Sequence, residues 1–237
     1  MERLDKIIAN RGLATRREAK ELVRQGRVLV NGVPAVSAEQ KLSPETDLIT
    51  VDGTAVTGER HCYLLLHKPA GVLSATEDRR QPTVLDLLAP EQRRRGLSPV
   101  GRLDKDTEGL LLLTDDGELT HRLLSPRYHV DKVYYARVDG TPDDADAAAF
   151  AAGLRLEDGL QCLPAVLEPL GPGECLVTLR EGKFHQVKRM LAARGKPVQY
   201  LKRLAMGPLR LEPELKPGSA RALTAAELSA LRQICGL

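Results

Sequence analysis

Apolar residues along the chain fall into helical stripes near the start and strand-like runs further on. Leu4, Ile7 and Ile8 recur at helical spacing, and Gly12 closes that run. Thr15-Arg16-Arg17-Glu18 has the form of a capping box and opens a second helix with Ala19, Leu22 and Val23 inward; Gly26 is placed to end it. Val28 to Val30 reads as a strand, Asn31-Gly32 as a type I′ hairpin turn, and Asp47 to Val51 as a further strand ending at Asp52-Gly53. Thr54 to Arg60 is polar and aperiodic. The pattern predicts a helix-helix-hairpin module over residues 1–56, a linker over 57–61 and a larger domain over 62–237.

In the larger domain Tyr63 to Leu66 and Leu110 to Leu113 read as buried strands, and Lys132 to Val138 as a strand of aromatic and β-branched residues. Gln161 to Glu168 and Glu174 to Leu179 are predicted strands around a Gly-Pro-Gly turn, followed by Val198 to Leu201 and Leu209 to Leu211. Helices are expected from Thr83 to Leu88 with Asp86 in the first turn, from Glu118 to Leu124, and from Thr141-Pro142 through the alanines to Phe150. Phe184 to Ala193 and a terminal helix opened by the Thr224–Glu227 capping box complete the set. Helices and hairpin-like strands intermix, which predicts an α+β fold with a largely antiparallel sheet.

Charge adds a partner. The net charge of the 237 residues is only +3. Yet Arg3, Lys6, Arg11, Arg16, Arg17, Lys20, Arg24 and Arg27 crowd the first module, and Lys183 to Arg210 contains cations and no acid. Two basic islands in a balanced chain suggest a polyanion gripped at two places. Cys62, Cys162, Cys175 and Cys235 form no CxxC pair and are expected to be inert thiols. The histidines lack metal-ligand spacing, so no metal is expected. No apolar stretch is long enough to span a bilayer and no leader pattern opens the chain, so a cytoplasmic protein without a membrane partner is expected. Arg93-Arg94-Arg95 reads as a solvated surface knot.

The candidate chemistry lies in Gly101 to Gly117, GRLDKDTEGLLLLTDDG. Asp104, flanked by Arg102 and Lys105 and followed by a hydrophobic wall, has the setting of a carboxylate held ionised, able to act as nucleophile or base. A solvated acidic turn fits the same residues. A calcium loop fits Asp104, Asp106, Glu108 and Gly109 but fails at the apolar Leu110 to Leu113 and at Asp115, where a bidentate Glu belongs. The chain has no P-loop, GxGxxG or GxSxG, so catalysis would rest on side chains alone.

With EGKFHQVKRM and KVYYARV added, the stretch resembles the RsuA and RluB/E/F group of pseudouridine synthases, and LDKIIANRGLATRREAKELVRQGRVLVNG resembles the S4 RNA-binding domain. The resemblance covers the chain nearly end to end. It implies a small S4 module of the alpha-L type and a catalytic domain with a mostly antiparallel mixed sheet flanked by helices. It also implies a monomeric enzyme that isomerises a uridine of ribosomal RNA without cofactor. Asp104 would attack the target at the sugar C1′ or at C6 of the base. Tyr134 would stack on the base and assist proton removal at C5, Lys188 would pair with Asp104, and Arg102 and Leu103 would hold the loop. His185 and Gln186 would shape the pocket. The HQVKRM form resembles members acting on 16S rRNA, in the free RNA or a partly assembled small subunit, whereas Glu108 is commoner in the 23S branch. Arg3, Lys6, Arg16, Arg17, Lys20, Arg24 and Arg27 would grip RNA phosphates, with Arg189, Lys202 and Arg203 on the catalytic domain. A non-catalytic RNA-binding assembly factor is the alternative of a different class.

Overall fold

The polypeptide folds as two units, Met1–Cys62 and Tyr63–Leu237, in a computed structural model that describes residues 1–44, 46–56 and 61–237, Glu91 by its backbone alone. The expected linker at 57–61 lies, His61 apart, outside the described residues.

In the first unit β1 (Glu2–Arg3) leads into α1 (Leu4–Asn10) and α2 (Arg16–Arg24). Then come β2 (Val28–Val30), β3 (Val33–Pro34), β4 (Lys41–Leu42), β5 (Ile49–Val51) and β6 (Thr54–Ala55). The capping box forms as expected: Glu18 N–H donates to the Thr15 hydroxyl (3.2 Å) and Thr15 N–H donates to the Glu18 carboxylate (2.6 Å). Leu4, Ile7, Ile8, Ala19 and Val23 bury against Val28, Ile49 and Val51. Asn31 and Gly32 both take positive φ (52° and 82°), as a type I′ turn demands. Asp52 and Gly53 do the same (50° and 78°), so the chain turns back and Thr54–Ala55 pairs with β5. The polar stretch therefore begins with a short strand of the first unit. Its alternation was too short to register.

The second unit is built on β7 (Tyr63–Lys68), β8 (Ser98–Pro99), β9 (Glu108–Thr114), β10 (Lys132–Val138), β11 (Val166–Gly171) and β12 (Glu174–Leu179). It continues with β13 (Val198–Met206), β14 (Leu209–Arg210) and β15 (Ala220–Ala222). Between them lie α3 (Gly117–Leu124), α4 (Asp144–Ala152), α5 (Gln186–Ala193) and α6 (Ala225–Ile234). The sheet runs β11-β12-β10-β13-β9-β7-β15, with β14 on β13 and β8 on β9. Its pairs are antiparallel except β13 with β9, where Lys202 faces Glu108 and Arg203 faces Gly109 in parallel register. Leu110, Leu111, Leu112 and Leu113 are all fully buried, so the central strand is covered on both faces. Leu110 and Leu112 pack with Leu119 and Leu123 of α3 and Leu228 and Leu231 of α6.

Several expected elements shift, each for a local reason. Thr83 to Leu88 is a run of turns, not a helix. Asp86 does reach back to the Thr83 N–H and hydroxyl (2.8 and 2.9 Å), but the backbone closes only three-residue turns, Asp86 N–H on the Thr83 carbonyl (3.1 Å) and Leu88 N–H on the Leu85 carbonyl (3.3 Å), and Pro90 has no N–H to carry a helix on. Asp143, not Thr141, caps α4, in a reciprocal pair with Asp146, which leaves Pro142 outside the helix. Arg94 is not a solvated knot but an ion pair with Asp115 (3.0 Å). Helix α5 starts two residues late because His185 is left-handed (φ 49°), and that keeps Phe184 out of the helix. Strand β13 runs on to Met206, and β15 was not expected at all: Ala220-Arg221-Ala222 has too little apolar character to read as a strand.

Gly109 permits the parallel join. Its φ is 109°, and a Cβ there would lie 2.6 Å from the Arg203 nitrogen. Gly109→Ala is expected to lower the unfolding free energy by about 2 kcal/mol or more, measured by urea denaturation; wild-type stability would show that the two strands can separate freely.

Candidate active site

The Asp104 loop hangs between β8 and β9 and is tied from below by groups of β7 and the turn after it. The Lys68 ammonium is buried and donates to three carbonyls: Pro69 (3.0 Å), Lys105 (3.2 Å) and Thr107 (2.8 Å). Gly71 N–H donates to the same Lys105 carbonyl (2.8 Å). The Ser74 hydroxyl donates to the Leu103 carbonyl (2.8 Å) and accepts from the Leu103 N–H (3.1 Å). Thr107 N–H closes a turn on the Asp104 carbonyl (3.1 Å). Burial pulls the Lys68 pKa down to about 8, against the upward pull of Asp106, Asp104 and Glu108. With every ammonium proton given to a carbonyl, the charged form persists at neutral pH.

This backbone sets the Asp104 side chain where α5 can meet it. Lys188 Nζ lies 2.9 Å from one carboxylate oxygen, and His185 Nε2 lies 3.4 Å from the other. Lys188 also holds Asp106 at 2.6 Å. Burial alone would lower the Lys188 pKa, but its bonds to Asp106 and Asp104 outweigh that and raise it; the bond to Lys188 in turn lowers that of Asp106. The structure thus places Lys188 beside Asp104, and Asp106 shares the cation. Glu108 is not part of the loop: it starts β9 and accepts from the Tyr200 hydroxyl (2.7 Å), which, together with burial, pushes Tyr200 up to about 12.

Asp104 opens onto two spaces. One is a recess of about 70 Å³ lined by Tyr134, Leu179, Val187, Leu201, Thr107 and Gln186. Tyr134 is buried on β10, opposite Val177 on one side and Arg203 on the other. The other is a cleft of about 750 Å³ bordered by Arg102, Lys105, Lys132, Lys183 and Phe184. Gln186 stitches the segment between them: it accepts from the Lys183 N–H (3.0 Å) and donates to Glu181 (2.5 Å), which accepts from the Leu163 N–H (2.8 Å). Gln186 thus has a definite structural task, beyond the shaping of the pocket expected from sequence.

Of the expected RNA-contact residues, Arg203 is corrected. It is 2% exposed and donates beneath the sheet to the Leu110 carbonyl (2.8 Å), out of reach of any RNA. A cation on the inward face of a strand is indistinguishable in sequence from one on the outward face when its neighbours are also mixed. Arg189 is ion-paired to Asp158 (2.6 Å), and Lys202 lies at the parallel join opposite Glu108. In the first unit a wholly buried Asp5 holds Arg3 (2.9 Å) and Arg16 (3.1 Å) side by side, and Glu39 draws in Arg3 (2.9 Å) and Lys20 (3.1 Å). Burial would raise the Asp5 pKa, but the bonds from Arg3 and Arg16 prevail and lower it. Arg17 borders the same patch. Arg27 is fixed to Asp52 (2.7 Å), Arg24 to Glu21, and Lys6 lies 3.7 Å from Glu2. Ion pairing leaves these arginines on the surface but orders them.

Comparison with known proteins decides the lineage. The RNA pseudouridylate synthase family profile matches residues 62–193, and the S4 domain profile matches residues 2–49. The chain belongs to the RNA pseudouridylate synthase family. It is 46% identical over 98% of both chains to the RNA pseudouridine synthase YtzG of Bacillus subtilis. It is 42% identical to the ribosomal small subunit pseudouridine synthase A of Pseudomonas aeruginosa, over 95% of this chain and 98% of the other. It is 40% identical to the ribosomal large subunit pseudouridine synthase B of Bacillus subtilis, over 99% of this chain and 97% of the other. A crystal structure of a pseudouridylate synthase superimposes with a TM-score of 0.68 at 36% identity, covering 98% of this chain and all of that one. The protein is thus an isomerase acting on RNA, with an S4 domain and an α+β catalytic fold. The synthase contains no helix, among its described residues, long and apolar enough to cross a membrane.

Two buried lysines separate by what they hold. Lys68→Met would strand the Pro69 and Thr107 carbonyls, whereas the Lys105 carbonyl keeps the Gly71 N–H, and a loss of about 2–4 kcal/mol of stability is expected together with a fall in kcat; an unaffected kcat would show that the loop holds its shape without the clamp. Lys132 donates to the Val130 carbonyl (2.9 Å), and burial, then the nearby Arg203, lowers its pKa from 10.5 to about 8. Its proton is held less tightly folded than unfolded, so its contribution to stability rises with pH between about 8 and 10.5. Wild type should gain unfolding free energy relative to Lys132→Met across that window, and parallel pH curves for the two proteins would refute this.

Proposed function

We propose that the protein converts one uridine of 16S rRNA to pseudouridine, with Asp104 as the nucleophile. The observation that supports this best is the Asp104 carboxylate held 2.9 Å from Lys188 at the mouth of a recess that also contains Tyr134. The cation fixes the position of the carboxylate facing the recess. In the reaction Asp104 attacks C1′ or C6 of the flipped-out uridine. The N1–C1′ bond breaks, the uracil turns, and a C5–C1′ bond forms. N1 gains a proton and C5 loses one, so the product is an isomer of the substrate. Tyr134 gives the unstacked uracil an aromatic face and stands ready to assist removal of the C5 proton. Ser74 steadies Leu103, and with it the Arg102-Leu103 entrance to the loop, through its paired hydrogen bonds.

The HQVKRM segment, resembling small-subunit members, favours 16S rRNA. The 42% identity to the small-subunit relative is compatible with that choice, and the 40% identity to the large-subunit relative keeps 23S rRNA as the second reading. Glu108, the residue that leaned toward the 23S branch, binds Tyr200 and so has a structural reason to be acidic. The S4 unit docks on phosphates through the patch that Asp5 and Glu39 organise, and the enzyme works in the cytoplasm as a monomer on free RNA or a partly assembled subunit.

Pseudouridine mapping on 16S and 23S rRNA incubated with the protein is the direct test. Asp104→Asn should lower kcat by at least about 10⁴ while binding RNA with near wild-type affinity; residual turnover near wild type would remove Asp104 from the chemistry. Replacing Arg16, Arg17 and Lys20 together by Gln should reduce the slope of log Kobs against log salt by about 2 on single-stranded RNA. An unchanged slope would place the phosphate contacts elsewhere.

A further inference from the structure

The wide cleft shares Asp104, Arg102 and Leu103 with the recess but extends well beyond the space that holds Tyr134. Its rim bears an exposed aromatic ring that the fold does not need for its core. The chain has two phenylalanines. Phe150 is wholly buried, whereas Phe184 is 72% exposed. One face of the Phe184 ring is backed by the imidazole of His185, with centroids 3.8 Å apart and planes at 19°. His185 is in turn 3.4 Å from the Asp104 carboxylate. The left-handed turn at His185 (φ 49°) stops Phe184 from joining α5. Carboxylate, imidazole and phenyl ring therefore form an outward-leading series, and the last ring has a face open to solvent.

The surroundings define what could settle there. Arg102, Lys105, Lys132 and Lys183 border the cleft, against the single carboxylate of Asp104. Lys105 donates to Gln81 (2.7 Å) and Lys132 to the Val130 carbonyl (2.9 Å), both neutral partners, so those charges are not cancelled. Lys183 donates to the Gln161 carbonyl (2.6 Å) and pairs with Glu181 (3.2 Å). A cationic trough with one free aromatic face suits a nucleotide: phosphate over the cations, base on the ring. The recess is about 70 Å³ and the cleft about 750 Å³, so the two spaces differ in kind. When the target uridine leaves its stack, the base beside it loses a stacking partner, and an aromatic platform on the adjoining cleft offsets the loss.

We propose that this cleft is a second nucleotide subsite, in which the base adjoining the target uridine stacks on Phe184. Stacking tolerates any base, so Phe184 sets affinity and register more than sequence.

The test uses the full-length protein with Phe184→Ala, Phe184→Leu and Phe184→Tyr. Exposure of the ring predicts wild-type thermal stability for all of them. In a first arm each protein is titrated into oligouridylates carrying 2-aminopurine immediately 5′ or 3′ of a central uridine. Wild type and Phe184→Tyr should quench one of the two probes, and the Ala and Leu variants should not. In a second arm single-turnover pseudouridine formation is followed on unmodified 16S and 23S transcripts. The Ala and Leu variants should raise the half-saturating RNA concentration on the order of tenfold at an unchanged saturated rate, and Tyr should restore it. Quenching that survives in Phe184→Ala overturns the proposal, as does full activity of the Leu variant, which would mean apolar contact with a protein or sugar and not stacking. Product on 23S in place of 16S would overturn only the choice of rRNA and leave the stacking result standing.

Discussion

A single buried ammonium sets the geometry on which the site depends. Lys68 ends a strand that is otherwise Tyr, Leu and His, and three backbone carbonyls converge on it. A loop that makes so sharp an excursion between β8 and β9 leaves carbonyls pointing inward, away from water, and a buried carbonyl without a donor is costly. The clamp and the Ser74 pair together make the Asp104 backbone part of the sheet's rigid frame. The carboxylate itself stays at the surface of that frame.

Electrostatics in both units follows one plan. A charged side chain is placed by an opposite charge that is itself anchored in the fold. In the catalytic unit Lys188 sits on a helix whose entry is stitched by Gln186 and Glu181, and it meets two carboxylates of the loop. In the S4 unit the buried Asp5 does the same for two arginines. Pre-ordered cations lose less side-chain freedom when they meet a polyanion than free ones would. The cost is that some of their charge is already answered, so a basic island counted in the sequence overstates the field that RNA meets.

Much of this was legible in the residues. Two capping boxes, the Asn31-Gly32 turn, the four-leucine strand and the KVYYARV strand all followed from local chemistry that tertiary contacts did not override. The pairing of Asp104 with Lys188 was reached only through family likeness, since no local rule links residues so far apart in the chain. The misses also have physical causes. Thr83–Asp86 carries a genuine capping bond yet no helix: the segment closes tighter turns and meets Pro90 two residues after Leu88. Lys68, Ser74 and Gln186 act through backbone groups, which have no sequence signal of their own. A lysine closing an apolar strand before Pro69 was the one clue to Lys68. Arg203 was misjudged because its inward direction is fixed by the β10–β13 register, where a bulge lies between Val133 and Tyr134.

The parallel join of β9 with β13 has a bearing on how the enzyme is made. During synthesis the segment with the Asp104 loop emerges long before the strand that carries Arg203, and hairpin pairs such as β11–β12 close locally first. The join is among the most non-local contacts of the catalytic unit, and such contacts form late because the intervening chain must already be ordered. Asp104 and Lys188 come from opposite sides of it. A partly folded chain would hold the carboxylate and the ammonium separately, each surrounded by water. Closure of the sheet is thus the step that brings the two charges together.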